Sequence, residues 1–184
     1  MKKALQHYSF IIASFVFGLP IGLLGCLGYC NSAFAGTATA TMTNIVTISN
    51  DCSISTIGFT TTYDPIVANA TTNQDVTASV TTTCTPGAAP VITLGQGANP
   101  GTGSTDAAPV RRLSSGGGTP TYLNYALFSD TGRSTTWGNT APTAPSSTTA
   151  TGAATPVTIY ARVPAGQSGV ATTFTDTVVA TVTF

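Results

Sequence analysis

Alternation of apolar and polar residues near the C-terminus is the sequence feature that most constrains this fold. Between residues 174 and 184, one set of alternate positions is mostly threonine and the other is largely apolar: Phe174, Val178, Ala180, Val182 and Phe184. Successive side chains of a β-strand point to opposite faces of its sheet, so a period of two predicts a strand with one buried face. Asp176 interrupts the apolar face near its start. Two alternatives follow for such a terminal strand: an open edge that another chain can pair with, or a complete sandwich that ends on this strand.

The same period occurs nearer the N-terminus, in residues 36–49. The odd positions are mostly threonine, and the even positions are Ala38, Ala40, Met42, Asn44, Val46 and Ile48. This pattern predicts a long strand over 38–49 with one apolar face. The polar Asn44 and the adjacent Ile45 disturb the alternation, so the residues alone leave its register open. They also leave open whether this strand is an ordinary first strand of the fold.

Between these two segments, short runs rich in Val, Ile, Thr and aromatic residues alternate with clusters of Gly, Pro, Ser and Asn. Threonine and other β-branched residues favour strands, and no long segment has helical periodicity. The pattern predicts an all-β sandwich with surface loops at 96–107 and 138–155. The expected strands are 38–49, 52–59, 76–84, 90–95, 108–113, 121–129, 156–163 and 174–184.

Residues 1–35 have the features of an export signal. Lys2 and Lys3 precede an apolar stretch, which closes on the small-x-small pattern from Ala33 to Ala35. Two other interpretations are a retained membrane anchor and a lipoprotein signal acylated at Cys26. The glycines and the proline within the stretch disfavour a spanning helix, and more apolar sequence follows Cys26. We therefore expect cleavage after residue 35 and no stable membrane span in the exported protein.

The exported chain is poor in reactive groups, because both lysines and the single histidine lie in the signal. Residues 36–184 contain no Glu, and their charges come only from four arginines and six aspartates. So few cations cannot form a substantial footprint on nucleic acid. The lack of histidine removes most hydrolase mechanisms and most zinc sites. We expect no enzymatic activity, no cofactor and no nucleic-acid partner.

Cys52 and Cys84 are the two cysteines that remain after signal removal. An even pair in an exported protein predicts a structural disulfide, since the periplasm is oxidising. Closing the intervening loop would stabilise the fold by about 3–4 kcal/mol in the loop-entropy description.

The other polar and aromatic candidates are given structural interpretations. Asp64, Asp130 and Asp176 lack the dense spacing of a calcium loop, and we expect turn caps and solvated loop groups rather than acid catalysts. Arg111 and Arg112 are expected at an exposed strand end or a partner contact. Two alternatives are open for the aromatic residues Tyr122, Tyr125 and Trp137: a platform that binds sugar, or packing in the core. Core packing is favoured.

The order of several short motifs resembles a known family. The alternating strand is followed by Cys52-Ser53-Ile54, and the run from Val80 to Thr85 includes the second cysteine. Further matches follow along nearly the whole exported chain: Tyr63-Asp64-Pro65, the run from Tyr122 to Phe128, Asp130, Arg133, Trp137-Gly138, Tyr160, Arg162, Gly166-Gln167, Asp176-Thr177-Val178 and the final Phe184. The chain resembles the spore coat protein U domain family, which includes the Csu-type subunits of archaic chaperone–usher pili.

The resemblance implies an incomplete immunoglobulin-like β-sandwich of the pilin type, completed by a donated N-terminal strand. It implies three segments: a signal peptide (1–35), a donor-strand extension (36–49) and a pilin-like domain (50–184). The implied donor residues are Ala38, Ala40, Met42, Val46 and Ile48. The implied acceptor groove is lined in part by Phe174, Val178, Ala180, Val182 and Phe184.

The implied function is that of a structural subunit of a surface pilus or fimbria that supports adhesion and biofilm formation. The implied partners are other pilus subunits, in a homo- or hetero-polymer, a periplasmic chaperone and an outer-membrane usher. The implied route is export through the periplasm to the cell surface. Two alternatives of other classes stay open: a secreted spore-coat or matrix structural protein, and a monomeric carbohydrate-binding β-sandwich.

Overall fold

The computed structural model describes residues 35–184. The predicted signal peptide therefore lies outside the described residues, apart from Ala35. The chain divides into two units, Met1–Asn44 and Ile45–Phe184. In the first unit, the described residues 35–44 are all exposed and form neither helix nor strand.

The second unit is built from short β-strands joined by loops. Its described strands are β1 (Cys52–Ile57), β2 (Gln74–Cys84), β3 (Val91–Leu94), β4 (Arg111–Ser114), β5 (Tyr122–Phe128), β6 (Thr155–Val163) and β7 (Ala180–Thr183). One short 3-10 helix, Ala141–Thr143, interrupts the second predicted loop. Its first turn contains a proline, which fits there because no backbone N–H is needed at that position.

The strands form two antiparallel sheets. Five strands pair in the order β1-β2-β6-β5-β4, and β3 pairs with β7 in a second, two-stranded sheet. The long strands β2 and β6 form the centre of the larger sheet, with Val80 opposite Val157. Residues 45–184 thus form an all-β sandwich of two antiparallel sheets, which confirms the all-β sandwich predicted from the sequence.

The core lies between the sheets and follows from the alternation along each strand. On β5 the buried residues are Leu123, Tyr125 and Leu127, whereas their neighbours point outward. Trp137 is fully buried, and its indole N–H donates a 2.9 Å hydrogen bond to the Ile92 carbonyl. A buried indole needs such a partner, because an unpaired N–H in the core is costly.

A disulfide joins the beginning of β1 to the end of β2. Cys52 and Cys84 are directly opposite in the ladder, with their Cα atoms 4.1 Å apart. The predicted pairing is confirmed. The bond joins the first strand covalently to a central strand of the larger sheet.

Two of the expected strands differ from the structure. No strand forms over 38–49, since a strand persists only where a neighbour pairs its backbone groups, and residues 35–51 belong to no ladder. The C-terminal strand is shorter than the expected 174–184: β7 begins at Ala180, and only an isolated bridge at Thr175 precedes it. The other six strands occur close to their predicted positions.

Candidate functional site

A large open groove of about 780 Å³ lies between the two sheets. One wall, called here the first wall, is the segment 56–63, which includes the end of β1 and the residues after it. The other, the second wall, is the segment 169–180, which leads into β7. Both walls belong to the unit Ile45–Phe184.

The floor of the groove is made of core residues. The lining residues contributed by the two sheets are mainly apolar: Ala78, Leu94, Leu113, Leu123, Tyr125, Leu127, Ile159 and Val163. Several of these also belong to the buried core cluster. The hydrophobic core therefore opens into this groove.

The second wall and β7 present alternate side chains to the core. Half-buried residues at 174, 176, 178, 180 and 182 are separated by exposed residues, including Val179 at 68% exposure. Phe174, Val178 and Ala180 line the groove. Val182 packs against the core cluster beyond the groove lining, and Phe184 is 48% exposed.

The backbone of this segment leaves one edge open. Thr175 exchanges two backbone hydrogen bonds with Ser114 of β4, and the Val179 carbonyl accepts one from Gly95 N–H. Successive peptide groups of a strand point to opposite sides, so the even-numbered residues from 176 to 182 direct N–H and C=O the other way. Within residues 35–184, β7 has β3 as its single strand neighbour. The free edge of this segment therefore borders the groove.

Beyond Ile57, the first wall is likewise without a strand partner. The ladder between β1 and β2 ends at Ile57, opposite Ser79, and residues 58–62 belong to no strand of the described chain. Ile57 is 72% exposed. Tyr63 closes this wall, because its hydroxyl donates to the Pro164 carbonyl at 2.8 Å and accepts from Gln167 N–H at 3.0 Å. The groove thus lies between two chain edges, and each edge has backbone N–H and C=O groups that no strand within residues 35–184 pairs.

Asp176 is the only charged residue among the described residues that line the groove. Its Oδ2 accepts a hydrogen bond from the Tyr125 hydroxyl, and its Oδ1 accepts from the backbone N–H groups of Ala98 and Asn99. The Asn99 side-chain amide adds a further bond to Oδ1. The expectation that Asp176 is a solvated loop group is wrong, because these bonds fix its half-buried carboxylate in the second wall of the groove.

Arg111 is buried, in contrast to the exposed position expected from the sequence. It is 1% exposed, and its guanidinium donates 2.8 Å hydrogen bonds to the carbonyls of Leu94, Gly95 and Trp137. Burial lowers the pKa of Arg111 to about 10, and the nearby Tyr125 and Asp176 oppose that shift. The expected exposed strand end is therefore wrong for Arg111, which joins β3, β4 and the segment around Trp137.

Two aspartates act as the expected turn caps. Asp64 Oδ1 accepts from Ile66 and Val67 N–H, and these bonds lower the pKa of Asp64. Asp130 accepts from Ser134 and Thr135 N–H, with the same effect on the pKa of Asp130. No cluster of three potential metal ligands occurs in the described part of the chain.

The aromatic residues do not form a common platform. Trp137 and Tyr125 are buried, as core packing requires, whereas Tyr122 lies at the surface under the Arg112 guanidinium, 4.1 Å from it. Among residues 35–184 the structure contains no helix with the length and hydrophobicity needed to span a bilayer.

The apolar residues predicted to form a donor strand stay exposed. Met42, Val46 and Ile48 are 82%, 90% and 81% exposed, respectively. Ala38 and Ala40 are exposed as well. A row of uncovered apolar side chains is unusual for a soluble protein.

Comparison with known proteins identifies the family. Residues 37–181 match the Spore Coat Protein U domain, which covers most of the chain. The chain belongs to the Spore Coat Protein U domain family. Protein U of Myxococcus xanthus, a relative of this family member, is 41% identical to it over 160 residues, covering 83% of this chain and 88% of that protein. The resemblance inferred from the ordered motifs is confirmed.

A solved structure also resembles this Spore Coat Protein U domain. It is a chaperone–tip adhesion subunit pre-assembly complex from the archaic chaperone-usher Csu pili of Acinetobacter baumannii. The match has a TM-score of 0.48 and 21% sequence identity, and covers 75% of this chain. It spans 40% of the length of the solved chain.

Proposed function

We propose that this chain is a structural subunit of a surface pilus and that it polymerises by donating a strand. In this proposal, residues 36–49 of one copy, or of another subunit of the same kind, fill the groove of the next. The observation that carries the proposal is the groove itself, an opening into the core bordered by two unpaired chain edges. A donated strand would satisfy backbone groups on both edges and cover the apolar floor.

The N-terminal segment has the chemistry that such a groove requires. Its alternate apolar residues are fully available, with Met42, Val46 and Ile48 each more than four-fifths exposed. Burying a side chain of this size stabilises a complex by about 1.5–3 kcal/mol. The intervening threonines would face the outside, as threonines already do along β7. One side of the donor would thus complete a core and the other would complete a surface.

The proposal divides the chain into a cleaved signal (1–35), a donor extension (36–49) and an acceptor domain (50–184). Before assembly, an open groove exposes core residues and invites aggregation, so a periplasmic chaperone is expected to cover it. An outer-membrane usher would exchange that chaperone for the next subunit. The product would be a non-enzymatic fibre at the cell surface that supports adhesion and biofilm formation.

Moving the proposed donor segment from one end of the chain to the other tests the proposal. The exported chain should assemble into polymers or require a chaperone for solubility. Moving residues 36–49 to the C-terminus through a flexible linker should produce a stable monomer, because the strand then fills the groove of its own domain. Size-exclusion chromatography and urea unfolding of the two forms measure the difference. A chain without residues 36–49 that is equally stable and monomeric would rule out strand donation.

Paired substitutions in the donor provide the matched control. Met42→Asp and Val46→Asp should block polymerisation, since each places an unpaired charge in an apolar groove. Thr43→Asp introduces the same charge on the opposite face and should leave assembly nearly intact. Equal polymer yields from all three variants would remove this face from the interface.

A second candidate function is a secreted coat or matrix component. Its support is the 41% identity to Protein U and the name of the shared domain family. The two functions differ in architecture: a coat layer needs no linear, end-to-end linkage. Electron microscopy of the exported protein distinguishes thin fibres from sheets or amorphous layers. A soluble monomer that binds glycans would support the carbohydrate-binding alternative instead.

A further inference from the structure

We propose that Asn44 of the donating copy faces Asp176 of the receiving copy, and that this polar pair sets the register of the donated strand. The inference rests on the proposed strand donation and specifies its alignment. Each of the two apolar rows contains one polar interruption: Asn44 among the donor positions and Asp176 in the second wall. A buried amide requires a hydrogen-bond partner. A slip of the donated strand by one residue would turn every donor side chain to the wrong face of the sheet.

Asp176 has acceptor capacity left for such a partner. Three donors converge on Oδ1, whereas Oδ2 accepts a single bond, from Tyr125 at 2.7 Å. An ionised carboxylate has about four lone-pair sites over its two oxygens, so Oδ2 can accept another N–H. The Asn44 amide supplies that donor without introducing a second charge. Within the described lining of the groove, no other side chain is charged.

The two rows fit each other in an antiparallel alignment. Beyond Asp176 the half-buried positions are Val178, Ala180 and Val182. Before Asn44 the donor has the same number of apolar positions, namely Met42, Ala40 and Ala38. Placing Asn44 opposite Asp176 therefore sets Met42 against Val178, Ala40 against Ala180 and Ala38 against Val182. On the other side, Val46 is set against Phe174.

The shape of the groove favours the same direction. Every residue from 169 to 176 lines it, whereas only Val178 and Ala180 do so farther along. The antiparallel alignment places the larger Val46 and Ile48 at the end of the groove lined by residues 169–176. It places the small Ala38 and Ala40 toward the end at Val178 and Ala180. A parallel strand would reverse that order and bring alanines to the more extensively lined end. The free backbone groups of the even-numbered residues point toward the donor, so its facing residues would form hydrogen-bonded pairs.

Disulfide trapping in the exported full chain measures the register directly. Met42→Cys combined with Val178→Cys should form intermolecular disulfides, because opposite residues have Cβ atoms roughly 4.5–5.5 Å apart. Met42→Cys combined with Ala180→Cys, or with Phe174→Cys, reports strands displaced from the proposed alignment. Predominant cross-linking of either of these pairs would overturn the register while retaining strand donation. Cross-linking of none of the three pairs would also overturn this register, whereas the proposed function fails separately if the chain without residues 36–49 is a stable monomer.

An exchange of the polar groups tests the pair itself. Asn44→Asp should lower polymer yield about tenfold or more, since two carboxylates would face each other in the groove. Combining Asn44→Asp with Asp176→Asn restores one amide and one carboxylate and should recover most of the yield. Thr43→Asp is the matched control for added charge, and Asp176→Asn should not rescue it. A double variant that assembles no better than Asn44→Asp alone would show that the two residues do not meet.

Discussion

The Tyr125 hydroxyl donates a 2.7 Å hydrogen bond to Asp176 Oδ2 at the floor of the groove. The bond links β5 of the larger sheet to the wall that leads into β7. Burial, reinforced by this bond, raises the pKa of Tyr125 above its ordinary value of 10.0. The same bond helps to fix the Asp176 carboxylate in the position that the proposed register requires.

Tyr125→Phe removes this bond and keeps the ring. We expect the free energy of unfolding to fall by about 1.5–3 kcal/mol, the usual contribution of a hydrogen bond to a charged group. Urea unfolding of the variant and the parent measures the loss. Difference absorbance titration should also show that the missing tyrosine is one that ionises above pH 10.0. An unchanged unfolding midpoint would show that the hydroxyl contributes nothing to stability.

Substitution of Arg111 should be among the most destabilising changes in the chain. Arg111→Ala leaves three carbonyls without their buried donor and opens a cavity, so we expect a loss of about 3–5 kcal/mol. Arg112→Ala is the matched control, because Arg112 is only half-buried and donates to the carbonyls of Asn99 and Pro100. Its loss should stay near or below about 1 kcal/mol. Equal effects in the two variants would contradict the structural role assigned to Arg111.

Loss of the disulfide should weaken the fold without abolishing the groove. The Cys52→Ser, Cys84→Ser double variant is expected to lose about 3–4 kcal/mol of unfolding free energy in the loop-entropy description. Addition of a reductant to the parent should have the same effect, whereas the double variant should be insensitive to it. If reductant leaves the parent's stability unchanged, the bond does not stabilise the folded protein.

Acid should destabilise the domain only below about pH 4. The pKa values of Asp64, Asp75 and Asp130 are lowered in the folded state, from 3.8, by hydrogen bonds from backbone N–H groups or from Arg162. A lowered folded pKa contributes stability above the unfolded value, and that contribution is lost as pH falls through the folded value. Urea midpoints should therefore stay level from pH 7 to pH 5 as far as these groups decide them, and then fall.

Asp75→Asn isolates one part of this acid dependence. Asp75 accepts two bonds from the Arg162 guanidinium, at 2.7 and 2.8 Å, near the surface. Exposed pairs of this kind contribute up to about 1 kcal/mol. The variant should therefore be slightly less stable at pH 7 and show a shallower decline between pH 4 and pH 2. An identical acid profile would mean that the pair contributes nothing.

The sequence was sufficient to predict the framework of the domain because its strands follow local rules. The alternation along β2, β5 and β6 decides which residues enter the core, and no distant information is needed to see it. The two cysteines were also assigned correctly, because only this pair lies outside the predicted signal peptide. The segment 38–49 has the same local pattern and yet forms no strand, since pairing requires a neighbour that these residues lack.

The groove and the polar residues around it depend on contacts that are distant in sequence. The local sequence around Arg111 is that of any arginine at a strand end. Its burial depends on the carbonyls of Leu94 and Trp137, which accept its hydrogen bonds and are distant in sequence. Asp176 looked like a defect in an apolar row, because its partners Ala98 and Asn99 lie in a loop far away in the chain. The one available signal was that a lone charge occurred in an otherwise apolar alternation.

The position of the disulfide has a mechanical consequence. The extension 36–49 continues into the domain almost directly at Cys52, the first residue of β1. A pull on the extension would otherwise peel β1 from β2 one hydrogen bond at a time, beginning at this end. The bond to Cys84 passes the load covalently to the last residue of β2, a strand paired along most of its length with β6. Tension on the extension would therefore reach the centre of the larger sheet covalently, without first breaking the hydrogen bonds between β1 and β2.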